Sequence, residues 1–351
     1  METIIANMRQ SVDEAEIRRA ADILKNGGLV AFPTETVYGL GGNALDAGAS
    51  AKIYEAKGRP SDNPLIVHIC DMQALDPIVR EIPEAARRLA DAFWPGPLTM
   101  IFKKTDLVPS ATTGGLDTVA VRFPSHPVAQ ALIKAAGGYI AAPSANTSGR
   151  PSPTRAEHVI EDLSGKVEMI IDGGEVGIGL ESSIIDLTEE TPVILRPGFI
   201  NKEMFSGVIG EVKTDAALLT NDPSVHPKAP GMKYRHYAPK AELTVVEGPQ
   251  EDVCACICRM AKEAQEKGEK VGIIAAAETA AFYPQELVHV IGTRAHEETI
   301  AHNLYAVLRD FDECDTTKIF SEAFDTPSMG NAIMNRLMKA AGQRRIRAGR
   351  E

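Results

Sequence analysis

The chain has 351 residues, 44% of them hydrophobic, and a formal net charge of -11. That length suits two domains with cores that need no disulfide or metal, and the composition excludes a disordered or collagen-like chain. The acid excess argues against a protein that binds nucleic acid or an anionic membrane over its whole surface.

In chain order, SVDEAEIRRAADILKNGG at 11–28 predicts a first helix, with a capping box at Ser11 and Glu14 and a glycine stop. GLVAF follows as a short buried strand. Further strands are expected at 65–69, 98–103, 118–123, 139–142, 168–172, 182–187 and 193–196. Helices are expected at 47–57, 83–93, 126–136, 154–163 and 201–209. This mixture predicts an α/β domain over residues 1–209 built on a twisted mixed sheet.

Residues 210–241 hold several prolines and little periodicity, so they predict a linker or functional loop. The charge turns over here: 207–241 carries five Lys/Arg against three Asp/Glu, between flanks of net -8 and -5. From 242 to 351 four strand–helix units follow in regular order, which predicts a small parallel sheet of the doubly wound, Rossmann-like type.

The five cysteines, at 70, 254, 256, 258 and 314, form no disulfide framework. Cys254, Cys256 and Cys258 fall in a helical pattern with no histidine or second pair nearby, so buried thiols are expected rather than a metal clip. No apolar run has the length of a signal peptide or membrane span, and a soluble, cytoplasmic protein is expected. Several catalytic signatures are missing. No GxxxxGK[ST] or GxSxG occurs; GGEVGIG at 173–179 breaks the dinucleotide fingerprint; His296-Glu297 meets no second histidine at zinc-binding spacing.

What remains clusters in loops of the first domain. FPTETVYGLGG at 32–42 reads equally as a plain strand-to-helix connection or as a site loop. AKGRPSDNPL at 56–65 sets Lys57, Arg59, Ser61 and Asn63 at alternate positions, and on an extended backbone they would all point one way, as a polyphosphate needs. PSANTSGRPSPT at 143–154 crowds hydroxyls and an amide ahead of a helix, a generic anion site. GLESSI and LRPG add Ser182, Ser183 and Arg196. His68 and Arg122 lie inside apolar strands. A strand histidine is usually a satisfied core residue, but an unpaired buried arginine is costly and a carboxylate ligand would answer it. With no nucleophile and no carboxylate pair, such a pocket would catalyse by positioning and charge neutralisation, which suffices for transfer at a phosphate.

Taken together, FPTETVYGLG, KGRPSDNPL, VAVRFP, APSANTSGRPSPT, ESSI and LRPG resemble the YrdC-like threonylcarbamoyl-AMP synthases, and YRHYAP followed by a small α/β domain resembles their long, two-domain form. The resemblance implies a nucleotidyltransferase that makes threonylcarbamoyl-AMP from L-threonine, bicarbonate and ATP, releases pyrophosphate, and feeds threonylcarbamoylation of tRNA at adenosine 37. It further implies that Thr36, His68, Arg122, Ala142 and Ser182 form the threonine site. Arg59, Asn63, Thr118, Ser144, Asn146, Ser152, Arg196 and Tyr237 would form the ATP site, with Lys57 and Arg59 neutralising the phosphates. Magnesium would arrive on ATP, with no dedicated metal site and no organic cofactor. The partners implied are the substrates and a downstream tRNA threonylcarbamoyltransferase machinery, with tRNA met only indirectly. In this setting Tyr234, Arg235, His236 and Tyr237 would act as a lid over a labile product.

Two rival classes have weaker support. An RNA-binding module would rest on the Arg-rich tail 344–350, which equally suits a helix end and frayed terminus. A carbamoyltransferase or hydrolase would need a histidine–serine motif or metal ligands, and neither is present.

Overall fold

The computed structural model of the chain describes residues 1–215 and 236–349. They fall into two compact units, one comprising 1–148 and 152–215, the other Gly149–Pro151 and 236–349.

In the first unit the elements are β1 (Ile4–Asn7), α1 (Glu14–Lys25), β2 (Val30–Phe32), β3 (Gly39–Asn43), α2 (Ala47–Lys57), β4 (Ile66–His68), α3 (Glu84–Phe93), β5 (Leu98–Lys103) and β6 (Thr118–Arg122). They continue with α4 (Pro127–Ala135), β7 (Ile140–Ala142), α5 (Ala156–Leu163), β8 (Met169–Asp172), β9 (Ser183–Asp186), β10 (Val193–Arg196), α6 (Lys202–Ile209) and β11 (Lys213–Thr214). Among the described residues the eleven strands form one mixed sheet in the order β1-β8-β2-β3-β7-β4-β6-β5-β9-β10-β11.

One face of this sheet buries Val67, Met100, Val119, Val121, Ala141 and Ile185 with apolar residues of α2, α3, α5 and α6. On the opposite face, Phe32, Ile140 and Ala142 pack with Ile17 and Leu24 of α1 and with Leu132 and Ile133 of α4. Further along that same face, Ile66, Ala120, Ile101, Ile184 and Leu195 form a separate small cluster. Register fixes this: Ile66 pairs with both Ala142 and Ala120, and Ala120 with Ile101, so these side chains share one side of the pleat. They make a narrow apolar floor, and the polar residues of interest lie around it.

Two expectations fail locally. Helix α1 is capped by Asp13, whose carboxylate accepts from the amides of Ala15 and Glu16, and not by Ser11. The helix begins at Glu14, so Asp13 holds the extended N-cap position and Ser11 lies outside it. The glycine run after FPTETVY is not a strand-to-helix turn but strand β3, paired with β2 and β7. Glycine is required there by close approach. A Cβ on Gly41 would sit 2.8 Å from Ile140 Cγ2 and 2.9 Å from Phe32 Cε1.

The second unit holds β12 (Glu242–Glu247), α7 (Gln250–Glu266), β13 (Val271–Ala276), β14 (Val288–Gly292), α8 (Glu297–Glu313), β15 (Lys318–Glu322), α9 (Gly330–Ala340) and β16 (Arg345–Arg347). The five strands are all parallel, in the order β14-β13-β15-β12-β16. The Arg-rich tail is thus an edge strand beside β12 and not a frayed helix end. Its alternating arginines keep an exposed edge charged. Cys254 is buried and Cys256 and Cys258 are half-buried on α7. Among the described residues, no helix is long and apolar enough to cross a membrane.

Because Phe32 and Ile140 are fully buried and cannot swing aside, Gly41→Ala is expected to destabilise the protein by about 1–3 kcal/mol. A Tm equal to that of the parent in a thermal melt would show that the three strands have room to relax.

Candidate active site

The site is assembled on the first unit's sheet. Arg122 ends β6 and is only 4% exposed. On one side it pairs in register with His68 of β4 and on the other with Thr99 of β5. Its Nη1 donates to Thr36 Oγ1 at 2.8 Å, and its Nη2 lies 2.7 Å from Glu35 Oε1. Both oxygens of Glu35, and Nε and Nη2 of Arg122, are buried without a well-oriented hydrogen bond. The ion pair is therefore close but under-satisfied, with donor and acceptor capacity left over inside the protein.

The 34–37 turn that carries Glu35 is built locally. Thr34 Oγ1 donates to the carbonyl of Val37 at 2.6 Å and shares a 2.9 Å hydrogen bond with Thr36 Oγ1. Backbone bonds from Ile178 to Glu35 and from Gly179 to Thr36 hold the turn from outside. His68 packs edge-on against Phe32, with Nδ1 3.0 Å from the carbonyl of Ile66. Burial, and then the neighbouring Arg122 charge, lower its pKa to about 3, so the ring is neutral. Ser182 joins the same cluster: its Oγ is 2.7 Å from Thr99 Oγ1 and receives Arg196 Nη2 at 3.1 Å, while Arg196 Nε donates to the Ser182 carbonyl.

Lys57, Arg59, Asn63, Thr118, Ser144 and Asn146 gather at the opposite end of the floor. β4 and β6 run parallel and β7 runs against them, so the loop before β4, the start of β6 and the loop after β7 share one edge. There Lys57, 2% exposed, donates from Nζ to the carbonyl of Ser144 at 2.5 Å and to that of Asn146. Ser144 Oγ donates to Asn146 Oδ1 at 2.5 Å. Arg59 reaches the carbonyls of Asn63 and Pro64, and Asn63 Oδ1 is buried without a hydrogen-bond partner. Thr118 opens β6 on the same face as Ala120 and Arg122. At two-residue steps of roughly 7 Å, Thr118 and Arg122 stand about 13 Å apart with Ala120 between them. Ala142, opposite Ile66, lies between the two groups.

Three expectations are corrected here. Lys57, Arg59, Ser61 and Asn63 do not alternate along an extended strand. Helix α2 runs through Lys57, Gly58 caps it in the left-handed conformation, and a turn follows, leaving Ser61 exposed while Lys57 and Asn63 are buried. The hydroxyls of the 143–154 loop do not all face a ligand at a helix start, because Ser152 Oγ donates to Glu181 Oε1 at 2.6 Å. Arg122 is not left unpaired inside the protein, because Glu35 already stands beside it. Tyr237 is found in the second unit, in the left-handed conformation at φ 65°, with its ring stacked on Tyr305 at 5.1 Å. Tyr234 and Arg235 of the expected lid lie outside the described residues.

Glu35, Thr99 and Glu181 escaped the sequence reading. Glu35 had a usable signal, since it is the one charge in an apolar and hydroxylated turn. Glu181 lay within the quoted GLESSI, where the serines drew attention instead. A single threonine inside LTMIFK gave no signal at all.

A mixed sheet with buried cations at both ends of an apolar floor, followed by a doubly wound parallel unit, defines the two-unit YrdC-like class. Residues 22–198 match the family model described as "Telomere recombination", and residues 200–342 match "Threonylcarbamoyl-AMP synthase, C-terminal domain". The threonylcarbamoyl-AMP synthase of Pyrococcus abyssi is 51% identical over 345 residues, covering 98% of this chain and 99% of the relative. That of Bacillus subtilis is 50% identical over 338 residues, covering 96% of each. The crystal structure of P. abyssi Sua5 complexed with L-threonine superposes with a TM-score of 0.94 at 50% identity, over 99% of this chain and 100% of that one. The chain belongs to the threonylcarbamoyl-AMP synthase family.

The state of His68 gives a pH signature. Its folded pKa lies below the ~6.5 of an exposed imidazole, so the unfolded chain takes up the proton first. The stability it contributes is complete above about pH 6.5 and is withdrawn as pH falls toward about 3. The Tm of the parent is expected to fall more steeply than that of His68→Gln between pH 7 and 5, and identical slopes would contradict a neutral, buried ring.

Proposed function

We propose that the chain forms threonylcarbamoyl-AMP from L-threonine, bicarbonate and MgATP, releasing pyrophosphate, in the first step of a tRNA modification. The observation that carries this reading is the under-satisfied Arg122–Glu35 pair at one end of the floor. A ligand bearing a carboxylate and an ammonium supplies what both partners lack. A free amino acid has that pattern of charge, and the side-chain hydroxyl of threonine suits the neighbouring Thr36 and Ser182 hydroxyls.

In this reading Arg122 holds the carboxylate of threonine and Glu35 its ammonium, with Thr36, neutral His68, Ala142 and Ser182 shaping the pocket. Arg59, Asn63, Thr118, Ser144, Asn146, Ser152 and Arg196 take the nucleotide. Lys57 fixes the 144–146 carbonyls and adds positive charge beside Arg59. Glu35 is placed to accept the proton that the ammonium must lose before its nitrogen can attack. That nitrogen adds to the bicarbonate carbon, water leaves, and a carbamate forms. A carbamate oxygen then attacks the α-phosphorus of ATP, and the bond to the bridging oxygen breaks to release pyrophosphate. The protein contributes alignment and charge, as phosphoryl-type transfers require. Magnesium enters on ATP as part of the substrate. The product, a labile mixed anhydride, passes to a transferase that acts on tRNA.

Pyrophosphate release is expected to require threonine and bicarbonate together, and turnover without either would overturn the reading. Glu35→Gln, which keeps the shape but removes the charge, is expected to lower kcat/KM for threonine by about 10²-fold with little change in KM for ATP. Arg59→Ala is expected to do the reverse, raising KM for ATP by about tenfold. Both follow from initial-rate pyrophosphate assays with one substrate varied at a time.

A further inference from the structure

The second unit has a crevice that the reaction above does not use. From β12 the chain crosses β15 by way of α7 to reach β13, and from β15 it crosses β12 by way of α9 to reach β16. The adjacent strands β12 and β15 therefore send their chains in opposite directions from their carboxyl ends. In an open parallel sheet that switch point is where a crevice forms and ligands bind. Here a cavity of about 200 Å³ opens at this place, lined by Val246, Gly248, Gln250, Arg294, Glu322 and Asp325 among others.

Its floor is a charge pair in which Glu322 is buried and the Arg294 side chain is 30% exposed. Glu322 ends β15 with its side chain 1% exposed. It accepts from Tyr283 Oη at 2.8 Å, from the amide of Ala276 at 3.3 Å and from Arg294 Nη2 at 2.8 Å. Arg294 is also braced by Phe324, whose ring centroid lies 5.2 Å from Cζ. Arg294 Nε is nonetheless buried with no acceptor. Arg294 is thus a fixed cation on the cavity wall whose side chain is partly exposed, and an anionic oxygen in the cavity would complement it. On the rim stands Asp325, exposed, and Pro249 caps α7 without a side-chain hydrogen bond to its first amides.

Size and charge narrow the ligand. Nucleotides need pockets in the ~300–1,000 Å³ range typical of larger ligands, so 200 Å³ is too small for one. A bare phosphate dianion would meet two carboxylates, Glu322 and Asp325, against a single arginine that is already paired. A small molecule with an anionic and a cationic end meets neither objection.

We propose that this crevice binds a free α-amino acid, its carboxylate on the Arg294 guanidinium and the first amides of α7, and its ammonium on Asp325. The site is independent of the threonine site proposed above and lies wholly within the second unit. Bound there, an amino acid would stabilise the second unit by mass action.

The test uses the full-length protein and the twenty L-amino acids, each titrated separately by isothermal calorimetry. At least one is expected to bind with a component that Asp325→Asn and Arg294→Lys each weaken by about tenfold or more. The matching α-hydroxy acid, which lacks the ammonium, and the matching amine, which lacks the carboxylate, are expected not to displace it. Asp325 is exposed, so Asp325→Asn tests the site even if the Arg294 variant unfolds. No binding up to millimolar concentration, binding indifferent to Asp325→Asn, or displacement by inorganic phosphate would each overturn the proposal.

Discussion

A guanidinium buried inside a β-sheet is the constraint from which the first unit follows. Arg122 is 4% exposed at the end of a largely apolar strand, and a charge so placed must be met by opposite charge and by hydrogen bonds. Glu35 and Thr36 meet it, which requires the 34–37 turn to stand against the end of β6. That turn is held in place by Thr34 within it and by residues 178 and 179 outside it. The lateral neighbours of Arg122, His68 and Thr99, extend its influence across the sheet to Ser182 and Arg196. The ion pair is incomplete in its hydrogen bonding, which leaves donor and acceptor capacity on both partners.

The same logic explains how an acidic chain can be built around cationic sites. Lys57, Arg59, Arg122 and Arg196 are all buried, and each has protein acceptors or a carboxylate within reach. Net charge describes the solvated surface, where most acidic residues lie, and it says little about a few cations held in place by backbone carbonyls. A carbonyl tether is well suited to this work. It fixes an ammonium or guanidinium without cancelling its charge, so the positive potential remains.

The legible parts of the sequence were those where composition and periodicity agree. The Val/Ile/Leu-rich strands were readable, as were helices such as α1 with one apolar face and the regular strand–helix units of the second domain. Strand β3 was not, because GLGGN has no β-forming side chains. It is a strand through what surrounds it, since Phe32 and Ile140 leave room only for glycine. The motifs were visible as clusters, but their geometry was not. Whether the residues around Lys57 lie on a strand or at a helix end depends on Gly58 adopting a left-handed conformation, which spacing alone does not reveal. Glu35 was missed for a related reason. The first partner of a buried charge is usually another residue of the same chain, and spacing does not show which one.

The two units resolve an arginine–glutamate pair in different ways. Glu322 is satisfied at every turn by Tyr283, a backbone amide and Arg294, and the deficit falls on the arginine alone. In the Arg122–Glu35 pair the deficit falls on both partners. A carboxylate with no hydrogen bonds has capacity to bind a cation or to accept a proton, whereas one with three has neither to spare. The unbonded carboxylate of Glu35 is suited to chemistry on an amine, and the arginine beside the satisfied Glu322 to holding a carboxylate. This difference, more than any difference in fold, separates the catalytic role proposed for the mixed sheet from the binding role proposed for the parallel one.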